Sequence, residues 1–202
     1  KLSRIDNNNS WVTGIPRLFG QNVYNNGAIM LMKGSGSTLT FTNPNTSYSY
    51  FGISVEISRS GNYVIAGASN AAYVIPLGTY FGTPVLIRGS GASGDYGISV
   101  SISENGDTAA VGSTSNQAVY VFTRSGSTWT EEQKIHVGIS YFGADIDLSA
   151  DGNTLAIAAY AGMGGSNTPG RVYVYARSNS VWTQQANIYV SSVGRSASSI
   201  SL

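Results

Sequence analysis

The feature that most constrains this chain is a segment written three times. Tyr50–Gly52, Asp95–Gly97 and Tyr141–Gly143 each end in an aromatic-glycine pair, with the aromatic residues at 51, 96 and 142, so the spacings are 45 and 46. After each pair come the same apolar positions and the same turn glycines. A fixed period of that length, built from short alternating segments, describes an array of small sheets of the propeller kind.

The copy beginning at Asp95 gives the unit in order. Ile98, Val100 and Ile102 alternate with Ser99, Ser101 and Ser103, giving a first strand with one apolar and one small polar face. Glu104-Asn105-Gly106-Asp107 then reads as a tight hairpin turn whose Asn-Gly supplies positive φ angles. A second strand over Thr108–Val111 stops at Gly112, a third covers Ala118–Phe122, and a more charged fourth covers Thr128–Ile135. Four antiparallel strands that become less apolar outward suit a blade: inner strands lie between neighbouring blades, and the outer edge meets water. Ser54, Ser99 and Asp145 fall where the blades crowd towards an axis.

The expected fold is therefore an all-β propeller of four-stranded antiparallel blades, about four of them in this chain. The blades run about 1–48, 49–93, 94–140 and 141–192, and 193–202 starts a further unit entered through Gly194-Arg195. In blade one, Leu2–Ile5 and Trp11–Gly14 stand for the first two strands, and Gly27–Phe41 for the third, its turn and the fourth. In blade two the third and fourth strands fall at Ala72–Ile75 and Thr83–Ile87. Such units stack on neighbours and carry no private cores, so the chain is one repeat array. It begins Lys-Leu-Ser, with neither initiator Met nor signal sequence, which reads as part of a longer chain.

Composition narrows the function. Charged residues are 10% and the formal net charge is +1 with no basic run, which argues against nucleic acid or an acidic membrane as partner. No run of 18 apolar residues is present to span a membrane, and the absence of cysteine leaves disulfides out of the argument. Asn8 and Asn45 stand in glycosylation acceptor patterns.

Candidate chemistry is sparse. The one histidine, His136, lies at the exit of an outer strand and reads as solvent-facing. Asp145 and Asp147 share a strand face; as a pair they suit acid-base work, and as inner-strand residues they suit bonding to neighbouring hydroxyls. Trp129 and Trp182, equivalent in blades three and four, are candidate sugar-stacking platforms, with the cleft between blades as the competing location. Two loops are lengthened, Pro16–Asn26 and Ala161–Gly170, making Arg17, Gln21, Asn22, Tyr24 and Asn167 candidate ligand-binding residues.

The order FG-x-S-V-x-I-S, D/N-G-x-T/Y, V-G-S/A, then A-V-Y-V-F-x-R-S-G-S-x-W resembles the FG-GAP repeat of integrin-alpha-type propellers. Tyr50–Gln133 and Phe142–Gln184 carry the resemblance well, and Gly27–Phe41 carries part of it. It implies a propeller, often seven-bladed, of an extracellular or cell-surface protein, non-catalytic, acting in adhesion or macromolecular recognition through the loops on one face. The alternatives kept open are a lectin with a glycan ligand and a self-associating structural subunit. The family's calcium loop is degenerate here. Asp147, Ser149 and Asp151 hold its first three ligand positions in blade four, but Leu155 occupies the last, and calcium wants six to eight oxygens. The competing reading is a hairpin turn whose side chains bond their own backbone, with no cofactor.

Overall fold

A computed structural model describes residues 11–15, 27–32, 38–45, 47–160, 170–190 and 199–202. All regular structure among them is β-strand. Four antiparallel sheets follow one another along the chain. The first contains β1 (Trp11–Ile15), β2 (Ala28–Met32) and β3 (Thr38–Thr42); the second contains β4 (Val55–Ile57), β5 (Tyr63–Ala68), β6 (Ala71–Pro76) and β7 (Val85–Ile87). The third contains β8 (Ser99–Ile102), β9 (Thr108–Ser113), β10 (Ala118–Ser125) and β11 (Thr128–His136). The fourth contains β12 (Phe142–Leu148), β13 (Thr154–Ala159), β14 (Gly170–Ser178) and β15 (Val181–Val190). Each strand pairs with the next in sequence, so every sheet is a simple meander. This is the all-β propeller architecture, with about four blades in this chain. The expected first strand at Leu2–Ile5 lies outside the described residues.

The core is repeated rather than central. Phe51, Tyr96 and Phe142 are fully buried, each in an edge-on contact with a tyrosine of its own blade's third strand: Tyr73, Tyr120 and Tyr173, at centroid distances of 5.8, 5.2 and 5.2 Å. Edge-to-face geometry suits the ring quadrupoles and adds to the apolar area each pair hides. Apolar clusters then fill the spaces between blades. One joins Ile65, Val74 and Ile87 of blade two to Val100, Val111 and Phe122 of blade three. Another joins Val119 and Val121 of blade three to Ile146, Ile157 and Tyr173 of blade four.

Several details depart from the expected unit. The second strand of blade three continues through Gly112 to Ser113, because that glycine is extended and holds the neighbouring blade close. The fourth strand of blade two is confined to Val85–Ile87, preceded by an isolated bridge between Leu77 and Phe81. In the turn after β8 only Gly106 takes a positive φ, 73°, whereas Asn105 contributes its side chain: its Oδ1 accepts from Asp107 N at 3.0 Å and Ser103 Oγ at 2.8 Å. The turn is fixed by side-chain bonding, not by an Asn-Gly pair with two positive φ angles.

Candidate functional site

In a meander blade, the connections from second to third strand and from fourth strand to the next blade emerge at one end. The connections between first and second and between third and fourth strands emerge at the other. The second-to-third connections are residues 16–27, 69–70, 114–117 and 160–169. The two long ones belong to blades one and four, and they share an end with the short ones. Arg17, Gln21, Asn22, Tyr24 and Asn167 belong to them but lie outside the described residues, as does Asn8.

The described part of this end is a network of small polar groups around two charges. Arg88, on the link from blade two to blade three, donates to Asn70 Oδ1 at 3.1 Å, the carbonyl of Ala92 at 3.0 Å and Tyr48 Oη at 3.4 Å. Asp95 accepts from Ser113 Oγ at 3.0 Å, Ser115 N at 2.8 Å and the Thr114 hydroxyl. Partial burial raises the Asp95 pKa, but these hydrogen bonds to the charged form outweigh it and hold the carboxyl below its ordinary value. Ser90 donates from its backbone N and its hydroxyl to Glu131, tying the link to the outer strand of blade three. Asn45 bonds locally, accepting from Ser47 N at 2.9 Å.

Beneath this end the first strands are joined around the axis by a repeated side-chain ladder. Ser54 Oγ donates to the carbonyl of Gly97, and Ser99 Oγ to that of Gly143, both at 2.7 Å. Two residues further on, Glu56 Oε2 accepts from Ile102 N at 3.3 Å, and Ser101 Oγ from Leu148 N at 3.0 Å. Blade four replaces both rungs with carboxylates. Asp145 Oδ2 accepts from Ile200 N at 2.9 Å, and Asp147 Oδ2 from Leu202 N at 2.6 Å. Asp147 also accepts from Ser101 Oγ at 3.4 Å. Residues 199–202 form no ladder with a sheet, yet Leu202 stands to Asp147 as Leu148 stands to Ser101. The Asp145/Asp147 pair thus accepts from the backbone N–H groups of Ile200 and Leu202, partners that the alternation pattern does not reveal.

The residues do not fit a calcium ion. Asp147 is turned into the blade boundary, whereas Asp151 closes its own turn, accepting from Asn153 N at 3.0 Å and from the Ser149 hydroxyl. These local bonds hold the Asp151 carboxyl below its ordinary value. No cluster of three or more acidic, His or Cys side chains suited to a metal occurs among the described residues. His136 is exposed at the end of β11.

The two tryptophans are placed between blades. Trp182 is 3% exposed, its Nε1 donating to Glu132 Oε2 of blade three at 2.8 Å and its ring 5.5 Å from the Arg177 guanidinium. Glu132 also pairs with Arg177 at 3.4 Å. A ring so enclosed has no open face for a sugar. Trp129 is half-buried against the cluster between blades two and three.

No protein-family profile matches the chain, and no curated protein matches it. Solved structures do. The β-propeller domain of Cps50 (Swd1) from Myceliophteria thermophila aligns with 15% identity and a TM-score of 0.55 over 81% of this chain and 55% of that one. Hydrazine synthase from Kuenenia stuttgartiensis aligns with 14% identity and a TM-score of 0.55 over 81% and 43%. Hsv2 from Kluyvelomyces marxianus aligns with 13% identity and a TM-score of 0.59 over 91% and 59%. At these identities the likeness establishes the propeller fold alone. The chain spans about half the length of the structures it matches.

Proposed function

We propose that this chain is part of a non-catalytic β-propeller recognition module of the FG-GAP type, on a cell surface or outside the cell. It binds another macromolecule through the end of the blades that bears residues 16–27 and 160–169. The observation that carries this reading is the position of those two connections. Both join second to third strands, as 69–70 and 114–117 do, and both are more than twice as long, so the strand ends that they join lie at the same end of the blades. Lengthened loops on a rigid repeated scaffold are the usual way a propeller acquires a ligand. Buried rings, interblade clusters and the axial ladder tie each blade of the scaffold beneath to the next. The absence of a basic run agrees with a partner other than nucleic acid.

The test is to replace residues 160–169 with Ser-Asn, the link used between β5 and β6, and to probe both proteins on a protein array and a glycan array. Loop shortening leaves folding intact, since closure entropy changes slowly with length. The reading predicts a discrete set of bound proteins that the shortened variant loses while keeping its circular dichroism spectrum and melting temperature. Loss confined to glycan spots would instead identify a lectin. Unchanged binding by the variant would refute the assignment of this end.

A further inference from the structure

One position breaks the repeat at the end of the blades that bears the long connections. The last residue of the second strand pairs with an alanine of the third in blades one, two and three: Ile15 with Ala28, Ala68 with Ala71 and Ser113 with Ala118. All three alanines are fully buried. In blade four the residue at that rung, opposite Ala159, is Arg171, one residue beyond the connection 160–169. An alanine fits inside a blade boundary, whereas an arginine must carry its charged head out towards water. Arg171 is accordingly half-buried, and its guanidinium lies 4.5 Å from the ring centroid of Tyr189, its partner on β15, which is 59% exposed.

A guanidinium over a ring face is held by the ring quadrupole and spends no N–H donor on it. Among the described residues none accepts a hydrogen bond from the Arg171 guanidinium, and none forms an ion pair with it. Arg88, at the neighbouring blade boundary of the same end, is exposed and held only by neutral acceptors: Asn70 Oδ1, the Ala92 carbonyl and Tyr48 Oη. Elsewhere the fold supplies counter-ions, since Arg124 pairs with Asp107 and Arg177 with Glu132. The carboxylates near the Arg88 link are already supplied with donors, Asp95 by Ser113, Thr114 and Ser115, and Glu131 by the backbone N and hydroxyl of Ser90. What this end offers an incoming group is therefore guanidinium donors.

We propose that the partner bound at this end is a protein with an acidic docking segment, one carboxylate of which is taken by Arg171 against Tyr189 while Arg88 meets a second. This inference rests on the recognition reading above and names the chemistry of its ligand. The planar fork of arginine matches a carboxylate with two parallel N–H···O bonds, and a ring beneath it holds the fork in place. Arginine and tyrosine are also the residue types that carry most binding energy at protein interfaces. The two cations stand one per blade boundary and not in a run, which suits carboxylates at separate points and not the continuous charge of a nucleic acid.

Poly-L-glutamate on a biosensor surface is the probe, with heparin beside it, for the wild type and three double variants. R88Q/R171Q removes both cations, R88K/R171K keeps the charges, and R59Q/K134Q removes two exposed charges elsewhere, in the turn between β4 and β5 and in β11. The wild type is expected to bind polyglutamate, more weakly as salt rises from about 0.05 to 0.3 M. R88Q/R171Q is expected to lose about tenfold or more in affinity, while the other two variants keep most of it. Circular dichroism checks that each variant is folded. No binding of polyglutamate by the wild type overturns the proposal, as does a loss in R59Q/K134Q equal to that in R88Q/R171Q. An equal loss in R88K/R171K would assign the arginines to packing, and binding of heparin alone would assign the site to a sulfated glycan; either overturns it. The variant shortened at 160–169 is run on the protein array in parallel. If it loses its bound proteins while polyglutamate fails to bind the wild type, the recognition end stands and only its acidic ligand falls.

Discussion

Ser99 donates its hydroxyl hydrogen to the carbonyl oxygen of Gly143 across 2.7 Å, from one blade into the next. Ser54 makes the same bond to Gly97. Both serines lie against an extended glycine of their own blade, Gly112 and Gly67. A Cβ on Gly112 would stand 2.1 Å from Ser99 Oγ and 2.2 Å from the Gly143 oxygen. The boundary is thus a backbone-to-backbone approach that only glycine permits. Gly112→Ala is expected to cost about 3 kcal/mol or more, because backbone on both sides must shift. Ser99→Ala, which strands a buried carbonyl, is expected to cost about 1–3 kcal/mol. Gly78→Ala, where an added Cβ would meet only the Tyr80 carbonyl oxygen at 4.0 Å and no positive φ is required, is expected to fall within about 0.5 kcal/mol of wild type. Urea unfolding of the three variants checks the order.

Tyr96 and Tyr120 touch edge to face, but their hydroxyls differ. Tyr96 Oη donates to the carbonyl of Ile87 at 3.2 Å, whereas Tyr120 Oη is buried with no hydrogen-bond partner. Tyr73 Oη is also buried without one, and burial, with Tyr48 beside it, pushes its pKa up to about 12. Removing the hydroxyl should therefore have opposite effects. Tyr96→Phe is expected to destabilise by about 0.5–1.5 kcal/mol, and Tyr120→Phe to be neutral or stabilising. Thermal melts of the two variants read the difference directly.

Asp95 links stability to pH. Its carboxyl is held below the ordinary value in the folded protein, so the unfolded chain takes up its proton first as pH falls. The contribution is fully present above the unfolded value of about 4 and is lost as pH drops through the folded value. Asp95→Asn should thus be less stable than wild type at pH 7, and the gap should narrow as pH falls below about 4. Denaturant titrations at several pH values test this; a gap independent of pH would contradict it.

The boundary beyond blade four depends on two acceptors. Asp147→Ala removes the partner of Leu202 N, and Asp145→Ala that of Ile200 N. Hydrogen exchange at those two amides is expected to accelerate in the matching variant, while exchange in β13 and β14 stays slow.

Much of this was legible in the chain. The 45- and 46-residue spacing announced the blades, and the alternation of Ser99 and Ser101 with Val100 and Ile102 announced which strand is innermost. The sequence did not reveal the partners of those serines, because an extended glycine and a neighbouring carbonyl 44 residues away leave no local pattern. Trp129 and Trp182 are equivalent in the repeat yet unequal in burial. Trp182 is covered by the nine-residue β11 of the preceding blade, whereas the blade before Trp129 offers only the three-residue β7. The calcium loop was ambiguous because Asp147 and Asp151 keep the right spacing. What separates them is strand geometry, which turns Asp147 to the next unit and leaves Asp151 in its own turn.

The most direct test of the recognition end is photo-crosslinking from its two sides. A photoreactive amino acid is placed at Ser166, in the long connection of blade four, or at Ser127, in the turn between β10 and β11 at the opposite end. Each purified protein is then mixed with intact source cells or their extract and irradiated. The account predicts discrete, competable adducts from position 166 and none from position 127. Equal labelling from both positions, or adducts from position 127 alone, would contradict it.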